Sequence, residues 1–188
     1  LAIRQIISLL DPIDSDLQRD LSGSDHKIGD LQLRLGNTDT ALKSYQDSFA
    51  ITQILMKLDP NNSVFKRDLS VSHNKIGDLQ LHLGNTVAAL NAYNESLVLA
   101  QILTKLDPHD TGFQRDLSAS YNKIGDLQMR LGNTAAALKS YQDSLAIRQA
   151  LSQLDPDNTE FQHDLSVSNE KIGDYQLRLG NTAAANKV

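Results

Sequence analysis

Small and apolar residues return at intervals of three and four along Phe65, Leu69, Ser72, Ile76, Leu79 and Leu83. That is the stripe of a helix with one buried face. A second stripe follows in Ala89, Leu90, Tyr93, Leu97, Leu103 and Leu106, and Gly84-Asn85-Thr86 lies between the two. Glycine takes the left-handed conformation at a helix end without a Cβ clash. The pattern therefore predicts helices at about 64–83 and 86–106, and so short a turn forces them antiparallel.

The pattern has a period of 48 residues. Lys-Ile-Gly-Asp recurs with its glycine at Gly29, Gly77, Gly125 and Gly173, and the turn glycine recurs at Gly36, Gly84, Gly132 and Gly180. First helices are expected at about 16–35, 64–83, 112–131 and 160–179, and second helices at about 38–58, 86–106 and 134–154. Asp-Pro at 11–12, 59–60, 107–108 and 155–156 ends each second helix, because proline lacks an N–H and restricts the residue before it. Ser15, Ser63, Thr111 and Thr159 are the expected N-caps of the first helices, and the Asn-Thr after each turn glycine is expected to cap the second. Proline or glycine interrupts the pattern about every 24 residues, which excludes the sustained heptads of a coiled coil.

A fixed period of this length signals stacked repeats, each burying its apolar face against its neighbours. The fold class is all-α, an α-solenoid of antiparallel helix-turn-helix repeats spanning 1–188 as one array. Three repeats fall at about 16–58, 64–106 and 112–154, and a fourth, 160–188, is cut short. Residues 1–5, Leu-Ala-Ile-Arg-Gln, recur at 145–149, so 1–10 reads as the back half of a second helix in a piece of a longer array. Two unlike uncapped ends predict head-to-tail self-association.

Net charge −5 and a pI near 5.4 argue against nucleic acid or an anionic membrane surface as partner. Without cysteine there is neither a disulfide nor a thiolate metal site. No apolar run approaches the roughly 18 residues of a membrane span, no signal peptide is visible, and a cytoplasmic setting is expected. His26, His73, His82, His109 and His163 occupy different repeat positions and have no zinc-site spacing. Neither a nucleophile motif nor a phosphate-cradling loop is present, so no catalytic residue, metal or cofactor is expected.

The units resemble the tetratricopeptide repeat family in Ile76-Gly77, Gly84, Ala89 and Tyr93, and in their counterparts one period away. The resemblance covers essentially the whole chain. It departs at 25/73/121/169 (Asp, His, Tyr, Asn), where the family carries an aromatic, and at Gln32, Gln80, Gln128 and Gln176, where it carries tyrosine. The family norm is about 34 residues, and the longer unit is similar to kinesin light chain-type repeats and to bacterial arrays. The extra length is expected as about two turns per helix.

The resemblance implies a right-handed superhelix whose first helices line a concave groove that binds a peptide or protein segment. On that mapping the groove receives Asp30, Asp78, Asp126 and Asp174, with His26, Asn74, Asn122 and Glu170 one turn earlier. An apolar row of Leu33, Leu81, Met129 and Leu177 is flanked there by Arg34, His82, Arg130 and Arg178. The aspartate row favours a basic or amphipathic segment over an acidic tail. Otherwise the aspartates serve only i, i+3 pairs with Lys27, Lys75, Lys123 and Lys171. A self-assembling array with no separate ligand is the competing function. Variable residues at 26/74/122/170 on a constant core favour binding.

Overall fold

The computed structural model describes residues 14–185, with side chains through residue 180. These residues form helices and connecting turns: α1 Ser15–Arg34, α2 Thr38–Leu58, α3 Ser63–His82, α4 Thr86–Leu106, α5 Thr111–Arg130, α6 Thr134–Leu154 and α7 Thr159–Ala185. The expected helix at 1–10 lies outside the described residues, as do the side chains of 182–188 on which end-to-end stacking would depend.

The N-caps stand one residue earlier than the hydroxyls suggested. Asp14 Oδ1 accepts from the N–H groups of Asp16 and Leu17, both at 3.0 Å. Asn62 Oδ1 accepts from Val64 and Phe65 at 3.0 and 3.2 Å. Asp110 and Asn158 cap α5 and α7 in the same way. Asp and Asn outrank threonine at this position and equal serine, and with their side chains on the first-turn N–H groups Ser15, Ser63, Thr111 and Thr159 become first helical residues.

Helices α1, α3 and α5 end on Gly36, Gly84 and Gly132, with φ of 79°, 80° and 78°. The Gly36 N–H donates to Leu33 O at 3.0 Å and the Asn37 N–H to Gln32 O at 2.9 Å, the paired bonds of a Schellman end. The following asparagine makes no side-chain cap on α2 or α6. Asn37 Nδ2 instead donates to Gln32 Oε1 at 2.8 Å, and Asn85–Gln80 and Asn133–Gln128 repeat the bond. The glutamine that replaces the family's tyrosine thus fixes the turn.

Inside each hairpin a tyrosine of the second helix lies on a glycine of the first. A Cβ added at Gly77 would stand 2.5 Å from the Tyr93 ring, and one at Gly125 would stand 2.6 Å from Tyr141. Tyr45 and Tyr93 are 2% exposed, and Ala41, Ala89 and Ala137 are fully buried beside these rings. The Gly–Ala–Tyr set therefore determines how closely the helices approach. Leu83 and Leu106, assigned to the buried stripes, are 44% and 60% exposed. Each sits at a helix end, beyond the reach of the partner helix.

The chain divides into two compact units, residues 1–103 and 104–188. In the first, α1–α2 is a hairpin and α3 packs against α2, and α3 and α4 are joined by the Ser70–Ser96 and Tyr93–Asp78 hydrogen bonds. In the second, α5–α6 is a hairpin and α7 packs against α6. Serine hydroxyls join the layers: Ser22 with Ser48 at 2.7 Å, Ser70 with Ser96 at 2.8 Å and Ser144 with Ser168 at 3.3 Å. All six serines are 5% exposed or less. Buried hydroxyls that satisfy one another cost little and allow close packing of small side chains.

One expected turn is absent. Helix α7 runs through Gly180 to Ala185, where the sequence placed a turn and a new helix start.

Asp25, at the position where the family has an aromatic, is 5% exposed and makes no hydrogen bond among the described residues. Burial and the nearby Asp47 raise its pKa from 3.8 to about 6. A raised carboxylate pKa gives stability that is full below the unfolded value and lost as pH rises through the folded one. Asp25→Asn is expected to stabilise by about 1–2 kcal/mol at pH 7.5 and by nothing at pH 4. Thermal unfolding of both proteins across that range checks it, and an equal gain at both pH values would refute it.

Candidate functional site

The aspartate row is a joint between hairpins before it is anything else. Asp30 Oδ1 accepts from the Tyr45 hydroxyl at 2.6 Å. Lys75 Nζ, from the next first helix, donates to both Asp30 oxygens at 2.8 and 2.7 Å. The second unit repeats this with Tyr141 on Asp126 at 2.8 Å and Lys171 on both oxygens at 2.8 Å. Asp78 accepts from Tyr93 at 2.7 Å.

These observations overturn the i, i+3 pairing for Asp30 and Asp126. The lysine reaches back one repeat, 45 residues, because the same face of the next helix lies nearer than its own next turn. Burial pushes the Asp30 pKa up, but the hydrogen bonds from Lys75 and Tyr45 outweigh it and hold the carboxyl below its usual range. Burial first, and then the bond to aspartate, raise the pKa of Tyr45 and Tyr141, so both hydroxyls remain donors. A second joint runs alongside, with Arg19 Nε on Asp68 Oδ2 at 2.6 Å and Arg115 Nε on Asp164 Oδ2 at 2.7 Å.

The row at 26/74/122/170 divides, and His26 borders a cleft between α1 and α3 with Arg19, Asp68 and Val71. His26 Nε2 lies 2.8 Å from Ser48 Oγ and 3.2 Å from Ser72 Oγ, inside the hydroxyl seam. Asn74 and Asn122 turn inward as well, and their Oδ1 atoms are buried without a hydrogen-bond partner. Only Glu170 is exposed. N-terminal to the crossing glycine, this stripe of the first helix leans on its partner helix. For the two asparagines the variation read as ligand specificity is therefore variation in the seam.

The remaining residues gather at clefts between successive first helices. In the first unit Asp30, Leu33, Arg34 and Lys75 line one. In the second, Asp126, Met129, Arg130, Tyr141, Lys171, Asp174, Tyr175 and Arg178 line a cleft of about 180 Å³. Leu33 and Met129 pack against the buried Tyr45 and Tyr141 clusters and show only an edge to the cleft. The apolar row is thus core along one side; Leu81 is half-buried and Leu177 is 67% exposed. His82 is exposed in the last turn of α3. With Asp30 and Asp126 paired to lysine, Arg34 is the charge left at the first cleft, and Arg130, Asp174 and Arg178 are those left at the second. The aspartates no longer argue for a basic ligand.

The histidines do not converge. His26 is in the seam, His73 lies edge-on to Phe49 at 4.9 Å, and His82, His109 and His163 are exposed. Among the described residues no group of His, Asp or Glu is arranged to hold a metal, and no helix is long and apolar enough to cross a membrane.

Residues 118–151, from the middle of α5 to the end of α6, match the family model for the tetratricopeptide repeat. This stretch is a tetratricopeptide repeat. The 48-residue period carries the same hairpin to its neighbours. Seven residues of α5 precede the matched stretch, and 152–154 of α6 follow it.

Comparison with curated proteins finds no sequence match. Among solved structures the chain is similar to BtubC (BKLC) from P. vanneervenii, at 22% identity and a TM-score of 0.57, over 93% of this chain and 64% of that one. That similarity is one of fold, an all-α helical solenoid. The first TPR of Spaghetti (RPAP3), bound to an HSP90 peptide, superposes with a TM-score of 0.42 at 16% identity, covering 82% of this chain and 95% of that one. MamA superposes with a TM-score of 0.42 at 14% identity, covering 98% and 88%.

Proposed function

We propose that this tetratricopeptide array is a protein-interaction scaffold, not an enzyme, and that it holds an extended peptide segment across the clefts between its first helices. The observation that carries the reading is recurrence. The same repeat positions line a cleft in both units, with an aspartate–lysine joint as floor, an apolar edge at Leu33 or Met129, and an arginine at the rim. A segment with alternating apolar and polar side chains suits such a surface. The exposed arginines favour acidic over basic residues in it, a revision of the preference drawn from the aspartate row.

Arg34→Glu combined with Arg130→Glu tests the reading. Both side chains are exposed, so circular dichroism and the melting temperature should hardly change. Capture of acidic partner segments from a peptide array should fall by about tenfold or more, since like charges facing each other across an interface cost about 1–2 kcal/mol or more. Unchanged capture by the variant would refute the use of this face.

A further inference from the structure

The second unit buries a guanidinium of its own. Arg148, on α6, is 6% exposed. Its Nε donates to Ser118 Oγ at 3.0 Å and its Nη1 to the carbonyl of Asp164 at 2.6 Å. Two periods earlier the same three positions are Thr52, Ser22 and Asp68. Threonine is too short to reach across, and its hydroxyl donates within α2, to Phe49 O at 2.9 Å. In the first unit Ser22 and Asp68 instead border a cleft of about 220 Å³, with Gly23, His26 and Val71 along it and Arg19 and Asp20 beside them. One unit thus seats its own arginine against the serine and aspartate that border an open cleft in the other. The units differ here at two more positions, Gly23 for Ala119 and His26 for Asn122. The glycine widens the first cleft, and the histidine changes what it offers.

What it offers is an acceptor. Ser72 Oγ donates to Asp68 O at 3.1 Å, so toward His26 Nε2, 3.2 Å away, it can only accept. A neutral imidazole has one N–H, and here that proton is on Nε2. Burial first, and then Lys75, lower the His26 pKa against the opposing pull of Asp30 and Asp68, which keeps the ring neutral at pH 7.5. Nδ1 then carries a lone pair. It makes no hydrogen bond among the described residues and is not among their buried atoms left without a partner, so it opens on the cleft that His26 lines. Of the charges there, Arg19 is paired with Asp68, whereas Asp20 is exposed and makes no ion pair among the described residues.

We infer that this α1–α3 cleft binds the guanidinium of an arginine side chain from a partner protein, with His26 Nδ1 and the Asp20 carboxylate as its acceptors. A guanidinium presents five N–H donors in a planar fork and reaches two separate acceptors at once, where an ammonium acts as a point charge. The formal excess at the cleft is one negative charge, which matches one such cation. The site involves neither Arg34 nor Arg130. It therefore goes beyond the scaffold reading and can fail without it.

The test titrates the full chain, labelled with 15N in histidine and 13C in valine methyl groups, at pH 7.5. The probes are N-acetylarginine methylamide and the corresponding lysine and glutamine derivatives. Before any addition, the 15N shift of His26 Nδ1 should be that of a nitrogen without a proton. The arginine probe is expected to move the His26 and Val71 signals saturably, the lysine probe at least about fivefold more weakly, and the glutamine probe not at all. Asp20→Asn and His26→Asn, the latter the residue found at 74 and 122, should each weaken the arginine probe about tenfold, read at Val71. Gly23→Leu should cover the cleft and abolish the response. Its melting temperature should not fall, because a Cβ there meets nothing within 4 Å and leucine is the better helix former. A proton on Nδ1, no response to arginine, an equal response to lysine, or a response retained in Gly23→Leu each overturns the guanidinium site and leaves the scaffold reading to its own test.

Discussion

Gly77→Ala is expected to destabilise the first unit by about 2–3 kcal/mol, although alanine is the better helix former by roughly 1 kcal/mol. The new Cβ would stand 2.5 Å from Tyr93 Cε1, inside any tolerated contact. The ring has little room to move, because its hydroxyl is bonded to Asp78 and its body is 2% exposed. Gly77→Leu should cost more. Urea unfolding measures both, and the pair Gly77→Ala with Tyr93→Leu gives the sharper reading. If the ring is the obstacle, the double mutant is more stable than the sum of the single losses. An alanine variant that unfolds at higher urea than wild type would show that the ring is not fixed there.

Asp126→Ala removes one acceptor from two donors and should cost about 1–3 kcal/mol, because the Tyr141 hydroxyl and the Lys171 ammonium lose their partner together. The joint is about a third exposed, which keeps the ion-pair share small. Asp126→Asn should be milder, since an amide oxygen still accepts from Tyr141. Asp30→Ala is expected to behave alike in the first unit. Its carboxyl pKa is held below the usual range, so its stabilising share is present above pH 3.8 and lost as pH falls through the lowered folded value. Wild type and Asp30→Ala should therefore converge in stability in strong acid. A melting temperature unchanged at pH 7 would return the row to the role of a ligand surface.

Helix existence and hairpin order were legible because they depend on local signals. Periodicity at three and four, glycine at C′ and Asp-Pro at the helix ends each act within a few residues. The caps were missed by one position because Ser15 and Asp14 are both good formers and only geometry ranks them. The run-through at Gly180 was missed because a turn residue permits a turn without imposing one. The site was harder to read, since its partners sit one period apart. Lys75 lies three residues before Asp78 and 45 after Asp30, and only the spacing between packed helices decides which it meets. His26, Asn74 and Asn122 were placed on a groove because their variety looked like choice of ligand. Their inward lean follows from the Gly–Tyr crossing, which no local pattern encodes. Arg148 was visible as an exception at the position of Thr52 and Ala100, a signal that required comparing the repeats position by position.

The Tyr–Asp–Lys joint has a consequence for how such a gene can change. In both joints described, one 48-residue copy contributes the tyrosine and the aspartate and the next copy contributes the lysine. Duplication or loss of DNA in whole copies, by unequal crossing-over, rebuilds such a joint automatically. A gain of any other length strands a lysine and an aspartate out of phase. Copy number is thus free to drift while phase is held by selection, and near-identical neighbouring copies make the recombination that alters their number more frequent.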